Sequence, residues 1–264
     1  MHPKIRRALH AIGLHVSSAS KYKALQNALE ESRRKAAEGE AFRDFLLANL
    51  NGTSAGWESQ ASQDVFALVA NGFKRGGYFV EFGATNGKSI SNTYTLEKEF
   101  GWTGIVAEPA KCWHEDLRRN RSCEVEFDCV WKETGAELEF KETGAAELST
   151  ISDFSEADLH SRSRRKAISY KVKTVSLLDM LDRHGAPREI DFMSVDTEGS
   201  ELDILQAFDF SKYRFNAITV EHNYTEQRAA IRALLEQNGY RNVAAGASGY
   251  DDWFVPAGSP LKTG

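Results

Sequence analysis

Tyr78-Phe79-Val80-Glu81-Phe82-Gly83-Ala84-Thr85-Asn86-Gly87 decides how this chain is read. Five residues of apolar strand run into a turn bearing two glycines, and a helix is predicted from about Ser89 to Phe100. Gly83 and Gly87 let backbone approach a ligand closely, and a helix starting after them would offer free N–H donors. Glu81 stands where a carboxylate can meet a cationic amine. The spacing is Gly-x-x-x-Gly, which departs from the G-x-G-x-x-G dinucleotide fingerprint.

Further strands follow at intervals. Gly104–Glu108, Glu124–Val130, Ile190–Asp196 and Ala217–Glu221 read as apolar strands, with two short ones near 240–245 and 251–255. Helices are predicted at Asp64–Asn71, Val175–His184, Glu201–Phe208 and Thr225–Asn238, the last opened by Asn223-x-x-Glu226 and closed by Gly239. This alternation implies an α/β fold with a mostly parallel sheet covered on both faces. Ligands then bind outside the carboxyl ends of the strands.

Those ends carry the chemistry. Glu108, followed by the strand-stopping Pro109, suits both hydroxyls of a ribose. Asp128 can accept from the exocyclic amine of an adenine, and Cys129 can line the base. The stretch Asp196-Thr197-Glu198-Gly199-Ser200-Glu201 holds three acids in six residues. Glu201 is explained by the first turn of a helix, where the dipole favours anions. Asp196 and Glu198 are not so explained, because buried carboxylates are costly unless paired or used. The fifth strand ends Glu221-His222, and His222 is a natural general base near neutral pH.

Around this core, composition excludes several classes. The chain has 264 residues, 41% hydrophobic and 27% charged, with 5 Pro and 20 Gly, so it is neither collagen-like nor mostly disordered. Mean hydropathy is -0.46, and no apolar run reaches the ~18 residues of a membrane span. Three cysteines without metal-ligand spacing point to a reducing, cytoplasmic setting. Net charge is -5, which argues against general nucleic-acid binding. Residues 1–56 read as an N-terminal helical extension ending in the linker Asn51–Gly56, and residues 57–264 as the main domain. The extension, with Lys4, Arg6 and Arg7 before an apolar stretch, suits a partly solvated helix, a peripheral membrane contact or pairing between subunits.

Five stretches together resemble the FkbM-type family of S-adenosylmethionine (SAM)-dependent methyltransferases. They are YFVEFGATNG (78–87), SNTYTLE (91–97), GWTGIVAEP (101–109), VKTVSLLDML (172–181) and IDFMSVDTEGSELDIL (190–205). The resemblance implies a class I methyltransferase, Rossmann-like, with a seven-stranded sheet whose last strand is antiparallel. It implies methyl transfer to oxygen, commonly on sugars or other natural-product hydroxyls. By position, the turn Gly83-Ala84-Thr85-Asn86-Gly87 with Glu81 would hold the methionine part. Glu108 would bind ribose, and Asp196 would lie near the transferred methyl. Thr85 departs from the asparagine usual there.

The expected chemistry is displacement at a sulfonium methyl by an acceptor hydroxyl, with His222 as base and Asp196 or Glu198 orienting it. A variant has Asp196 and Glu221 hold Mg²⁺. The rivals are a nicotinamide-dependent dehydrogenase and a non-catalytic SAM-binding scaffold. About 45 residues between the third strand and Val175 exceed what the core needs, and loops of this kind shape specificity. They include Arg162, Arg164, Arg165 and Lys166, then Lys171 and Lys173, with no acid in 160–173. A solvated charge run is one reading; an anionic glycan or other acidic acceptor is the other.

Overall fold

The computed structural model describes residues 57–142, 150–151, 168–222, 227–243 and 250–261. The N-terminal extension, Arg162, Arg164, Arg165, Lys166 and the Asn223–Glu226 cap lie outside these residues. In chain order the elements are α1 (Gln63–Ala70), β1 (Tyr78–Phe82), α2 (Tyr94–Phe100), β2 (Thr103–Ala107), α3 (His114–Asn120), β3 (Glu124–Glu126), β4 (Cys129–Trp131), β5 (Glu137–Glu142), β6 (Thr150–Ile151), β7 (Ile168–Ser176), α4 (Leu177–Arg183), β8 (Glu189–Ile190), β9 (Phe192–Val195), α5 (Glu201–Ala207), β10 (Arg214–Phe215), β11 (Ile218–Glu221), α6 (Gln227–Gln237), β12 (Tyr240–Val243) and β13 (Asp251–Pro256).

Seven strands form the main sheet in the order β12-β13-β11-β9-β1-β2-β3. The pairs from β11 through β9, β1 and β2 to β3 are parallel, and β13 is antiparallel to both β11 and β12. This is the class I methyltransferase sheet with its antiparallel last strand. The β1/β9 switch lies mid-sheet, where the chain leaves in opposite directions and opens a crevice.

Both faces are buried, which is why the central strands read as near-continuous apolar runs. Val80, Phe82, Ile105, Met193, Val195, Ile218 and Val220 pack with α4, α5 and α6 residues on one face. Phe79, Val106, Phe192, Trp253 and Val255 pack with α1, α2 and α3 residues on the other. No described helix is long and apolar enough to cross a membrane.

Three expectations need correction. The third strand does not run from Glu124 to Val130. It stops at Glu126, whose carboxylate accepts from the Asp128 N–H at 2.9 Å and turns the chain. Cys129–Trp131 then joins a separate four-stranded sheet, β4-β7-β5-β6, where Cys129 and Trp131 gain a small apolar core with Ala110, Phe140 and Val172. The helix expected from Ser89 begins only at Tyr94, because residues 91–93 turn their polar groups onto Glu81. The helix expected from Val175 starts at Leu177, where the Ser176 hydroxyl accepts the Asp179 N–H. Val175 instead lies within β7, so part of the predicted loop insertion is sheet.

At the amino-terminal edge, Asp191 ties β9 to β1. Its carboxylate accepts from Lys74 Nζ at 2.9 and 2.8 Å, from the Tyr78 N–H at 2.8 Å and from Asn216 at 3.2 Å. Asp191→Ala strands these donors and should cost ~2–3 kcal/mol, roughly 5–10 °C in melting temperature. S-adenosylhomocysteine affinity, measured by calorimetry, should not change, because this edge lies opposite the ligand edge.

Candidate active site

The turn after β1 is set by close approach. Gly83 has φ +73°, and a Cβ there would collide with the Asp196 carbonyl oxygen. The β1 and β9 ends are therefore pressed together at the crevice. Thr85 holds φ +47°, a conformation that a β-branched residue adopts at a cost and asparagine tolerates better. This is the physical content of the departure at position 85. Asn86 Oδ1 accepts the N–H groups of Lys88 and Ser89, both at 2.9 Å, so its side chain shapes the turn.

Glu81 sits on the buried face of β1, and its carboxylate is already occupied. One oxygen accepts the Asn92 N–H at 2.7 Å. The other accepts from Ser91 Oγ at 2.9 Å, from Thr93 Oγ1 and from Arg121 at 3.4 Å. The fully buried Arg121 also binds Glu97 at 2.6 Å and Thr93 at 2.8 Å. Sequence reading missed Arg121; nothing in Arg118-Arg119-Asn120-Arg121 distinguishes a buried guanidinium from its solvated neighbours.

Glu108, at the end of β2, is held from two sides. The Thr85 N–H reaches one oxygen at 2.9 Å and the Ala110 N–H the other at 2.8 Å. Burial pushes its carboxyl up to about 7, against those two backbone bonds; Glu142 and Glu81 add to the rise. Each oxygen keeps acceptor capacity for the neighbouring hydroxyls of a ribose. Pro109 leads into a loop fastened where the Lys111 N–H meets Tyr170 Oη at 2.9 Å.

The adenine-side residues fare differently. Asp128 pairs with Arg183 at 3.1 Å, and Arg183 also holds Glu126 at 2.7 Å. Cys129 is buried in the second sheet, its thiol pushed up to about 12 by burial. Neither is a free group waiting at the main sheet edge.

The acids at the ends of β9 and β11 converge. Asp196, Glu198 and Glu221 each place one carboxylate oxygen within 4.8 Å of the others. Glu198 is held at φ +59°, a strained conformation of the kind that clusters at functional sites. Glu201 turns away to cap its own loop, accepting from Thr197 and Gly199. Burial drives Asp196 up to about 7, while its hydrogen bond with Glu221 works the other way. Glu221 rises well above the ordinary carboxylate range through burial and the Asp196 charge. Both carboxyls are thus pushed toward the protonated form, and the pair can share a proton. His222, next after Glu221 in the chain, is buried, and burial, with Arg228 and Arg232 nearby, lowers it to about 4.

A methyltransferase FkbM domain model matches residues 81–242, more than half of the chain. The chain belongs to the FkbM methyltransferase family. It is a SAM-dependent methyltransferase. Similar solved structures include a precorrin-6y C5,15-methyltransferase from Geobacter metallireducens GS-15, 12% identical over 68% of this chain and 71% of that one, with a TM-score of 0.37. The METTL16 MTase domain is 13% identical over 82% and 79%, with a TM-score of 0.39. A SAM-dependent methyltransferase from Aquifex aeolicus is 11% identical over 75% and 93%, with a TM-score of 0.35. No curated protein matches the chain.

The donor set fits SAM: a two-point carboxylate at the β2 end, and a backbone turn packed without a side chain at Gly83. A ribose diol donates to the ionised form of Glu108 and so favours it. S-adenosylhomocysteine affinity should therefore fall as pH drops through about 7. Glu108→Gln should weaken binding roughly 10- to 100-fold at pH 8 and remove that pH dependence, read by calorimetry. A wild-type affinity that stays level from pH 8.5 to pH 6 would exclude this role.

Proposed function

We propose that the enzyme methylates a hydroxyl of a sugar, glycan or related natural product, with the Asp196–Glu221 pair receiving the hydroxyl proton. The observation that carries this reading is the convergence of Asp196, Glu198 and Glu221 at the crevice edge. SAM, when bound, supplies a methyl made electrophilic by its sulfonium. The chain's own task is to orient the acceptor and take its proton. A base works best when its pKa lies near the working pH. Asp196, raised to about 7, meets that condition, whereas His222, lowered to about 4, is neutral but weakly basic. The base thus moves from His222 to its carboxylate neighbours, with Glu198 placed to bind the hydroxyl.

Asp196→Asn should lower turnover ~10²–10⁴-fold while S-adenosylhomocysteine affinity changes far less. His222→Ala should cost less than Asp196→Asn. Wild-type turnover should rise with pH through about 7 as the pair gives up its proton. Labelled-methyl assays across pH check all three; a larger loss in His222→Ala would return the base to the imidazole.

A second reading rests on the same three oxygens, since hard cations take carboxylate ligands in this number. Mg²⁺ between Asp196, Glu198 and Glu221 would acidify the hydroxyl directly. For the acceptor, the run Arg162, Arg164, Arg165 and Lys166 supports an anionic glycan. Lys171 and Lys173 do not join it, because they lie on β7 opposite Glu139 and Glu137, and Lys171 pairs with Glu137 at 3.1 Å. A screen of labelled methyl transfer to neutral and acidic sugars should find the acidic ones favoured, with acceptor KM rising with salt. Full activity after EDTA treatment would dispose of the metal, and no transfer to any hydroxyl would end the O-methyl reading.

A further inference from the structure

We propose that Asn92 Oδ1 receives the α-ammonium group of SAM, the task sequence reading assigned to Glu81. The inference rests on the methyltransferase assignment and goes beyond it to one atom. Two observations meet here. First, the Glu81 carboxylate is already engaged, with three donors on one oxygen and one on the other. It accepts from Ser91, Asn92, Thr93 and Arg121, and only 3% of the residue is exposed. Its charge is countered by the buried Arg121. Second, Asn92 Oδ1 is buried, and no donor among the described residues reaches it. A buried acceptor left unpaired costs ~1–3 kcal/mol and calls for an explanation.

The rest of Asn92 is held firmly. Its N–H is fixed to Glu81 at 2.7 Å, and its Nδ2 donates to Ser194 Oγ at 2.9 Å. Ser194 Oγ also meets Thr219 Oγ1 at 3.2 Å. Glu81, Ser194 and Thr219 stand in register across β1, β9 and β11. Asn92 therefore lies over the β1/β9 junction, two residues short of Gly83 and Asp196 along each strand. Those are the ends that flank the crevice. With Glu81 and Asp196 both acidic, a cationic donor suits this junction better than a neutral one.

The test separates the parts of the ligand. Calorimetry is run on wild type, Asn92→Ala and Asn92→Asp with three probes. S-adenosylhomocysteine carries ammonium and carboxylate, decarboxylated SAM carries ammonium alone, and methylthioadenosine carries neither. Asn92→Ala should weaken the first two by about tenfold or more and leave methylthioadenosine within about twofold. Unchanged S-adenosylhomocysteine affinity, or an equal loss with methylthioadenosine, would overturn the proposal. A loss confined to S-adenosylhomocysteine would do so too, because the amide would then be reading the carboxylate. If Asn92→Ala does not fold, Asn92→Asp decides. It should raise the preference for S-adenosylhomocysteine over methylthioadenosine at least about threefold, and an unchanged preference refutes the inference. Failure of wild type to bind any probe would instead strike at the cofactor itself.

Discussion

The ion pair between Arg121 and Glu81 sets the conditions for the whole ligand edge. Both side chains are out of solvent, Arg121 completely. Buried charges are tolerable only when paired and hydrogen-bonded, and removing one partner of such a pair commonly costs ~3–5 kcal/mol. Arg121 lies just beyond α3 and reaches the end of β1, the 91–93 turn and Glu97 on α2. It thus joins three segments that are distant in sequence. Because residues 91–93 spend their donors on Glu81, they do not enter a helix, and α2 starts late. The cost to the Rossmann-like scheme is the helix N-terminus directly after the glycine turn. A polar network takes its place.

A second constraint acts at the ends of β9 and β11. Asp196, Glu198 and Glu221 crowd together, one carboxylate oxygen of each within 4.8 Å of the others. Like charges this close cannot all ionise in a poorly hydrated site, so a proton stays among them. Burial raises Asp196 to about 7, the range where it can work as a base at neutral pH. His222 is affected in the opposite sense by the same burial, since its charged form is also the one desolvation disfavours. One physical cause therefore separates the neighbours into a competent base and a weak one.

The four-stranded second sheet supports the site from the ribose side. Ala110, whose N–H holds Glu108, is buried in its apolar core. Tyr170 on β7 receives the Lys111 N–H and donates to Glu142 on β5 at 2.6 Å. The insertion is thus more than a specificity loop: its strands fasten the segment that follows the ribose-binding position. Its outer face pairs Glu137 and Glu139 with Lys173 and Lys171 across β5 and β7, which explains two of the six basic residues of that run by ordinary cross-strand pairing.

Local pattern determined the architecture. Apolar strands alternating with amphipathic helices can bury themselves only as a covered parallel sheet, so β1, β2, β9, β11 and the final pair were legible, as were Glu108 and the acidic cluster at strand ends. The family followed from motifs whose order and spacing are properties of the chain itself. What linear pattern cannot carry is which polar group meets which. Arg121 looks like any surface arginine until α3 brings it under β1. Glu81 looks like a ligand carboxylate until the 91–93 turn engages it. The third strand looks continuous until Glu126 bends it and Cys129 finds a second core. His222 looks like the natural base until burial is known. Desolvation and hydrogen-bond partnership depend on neighbours tens of residues away, so only the tertiary structure decided which of these groups are free to act.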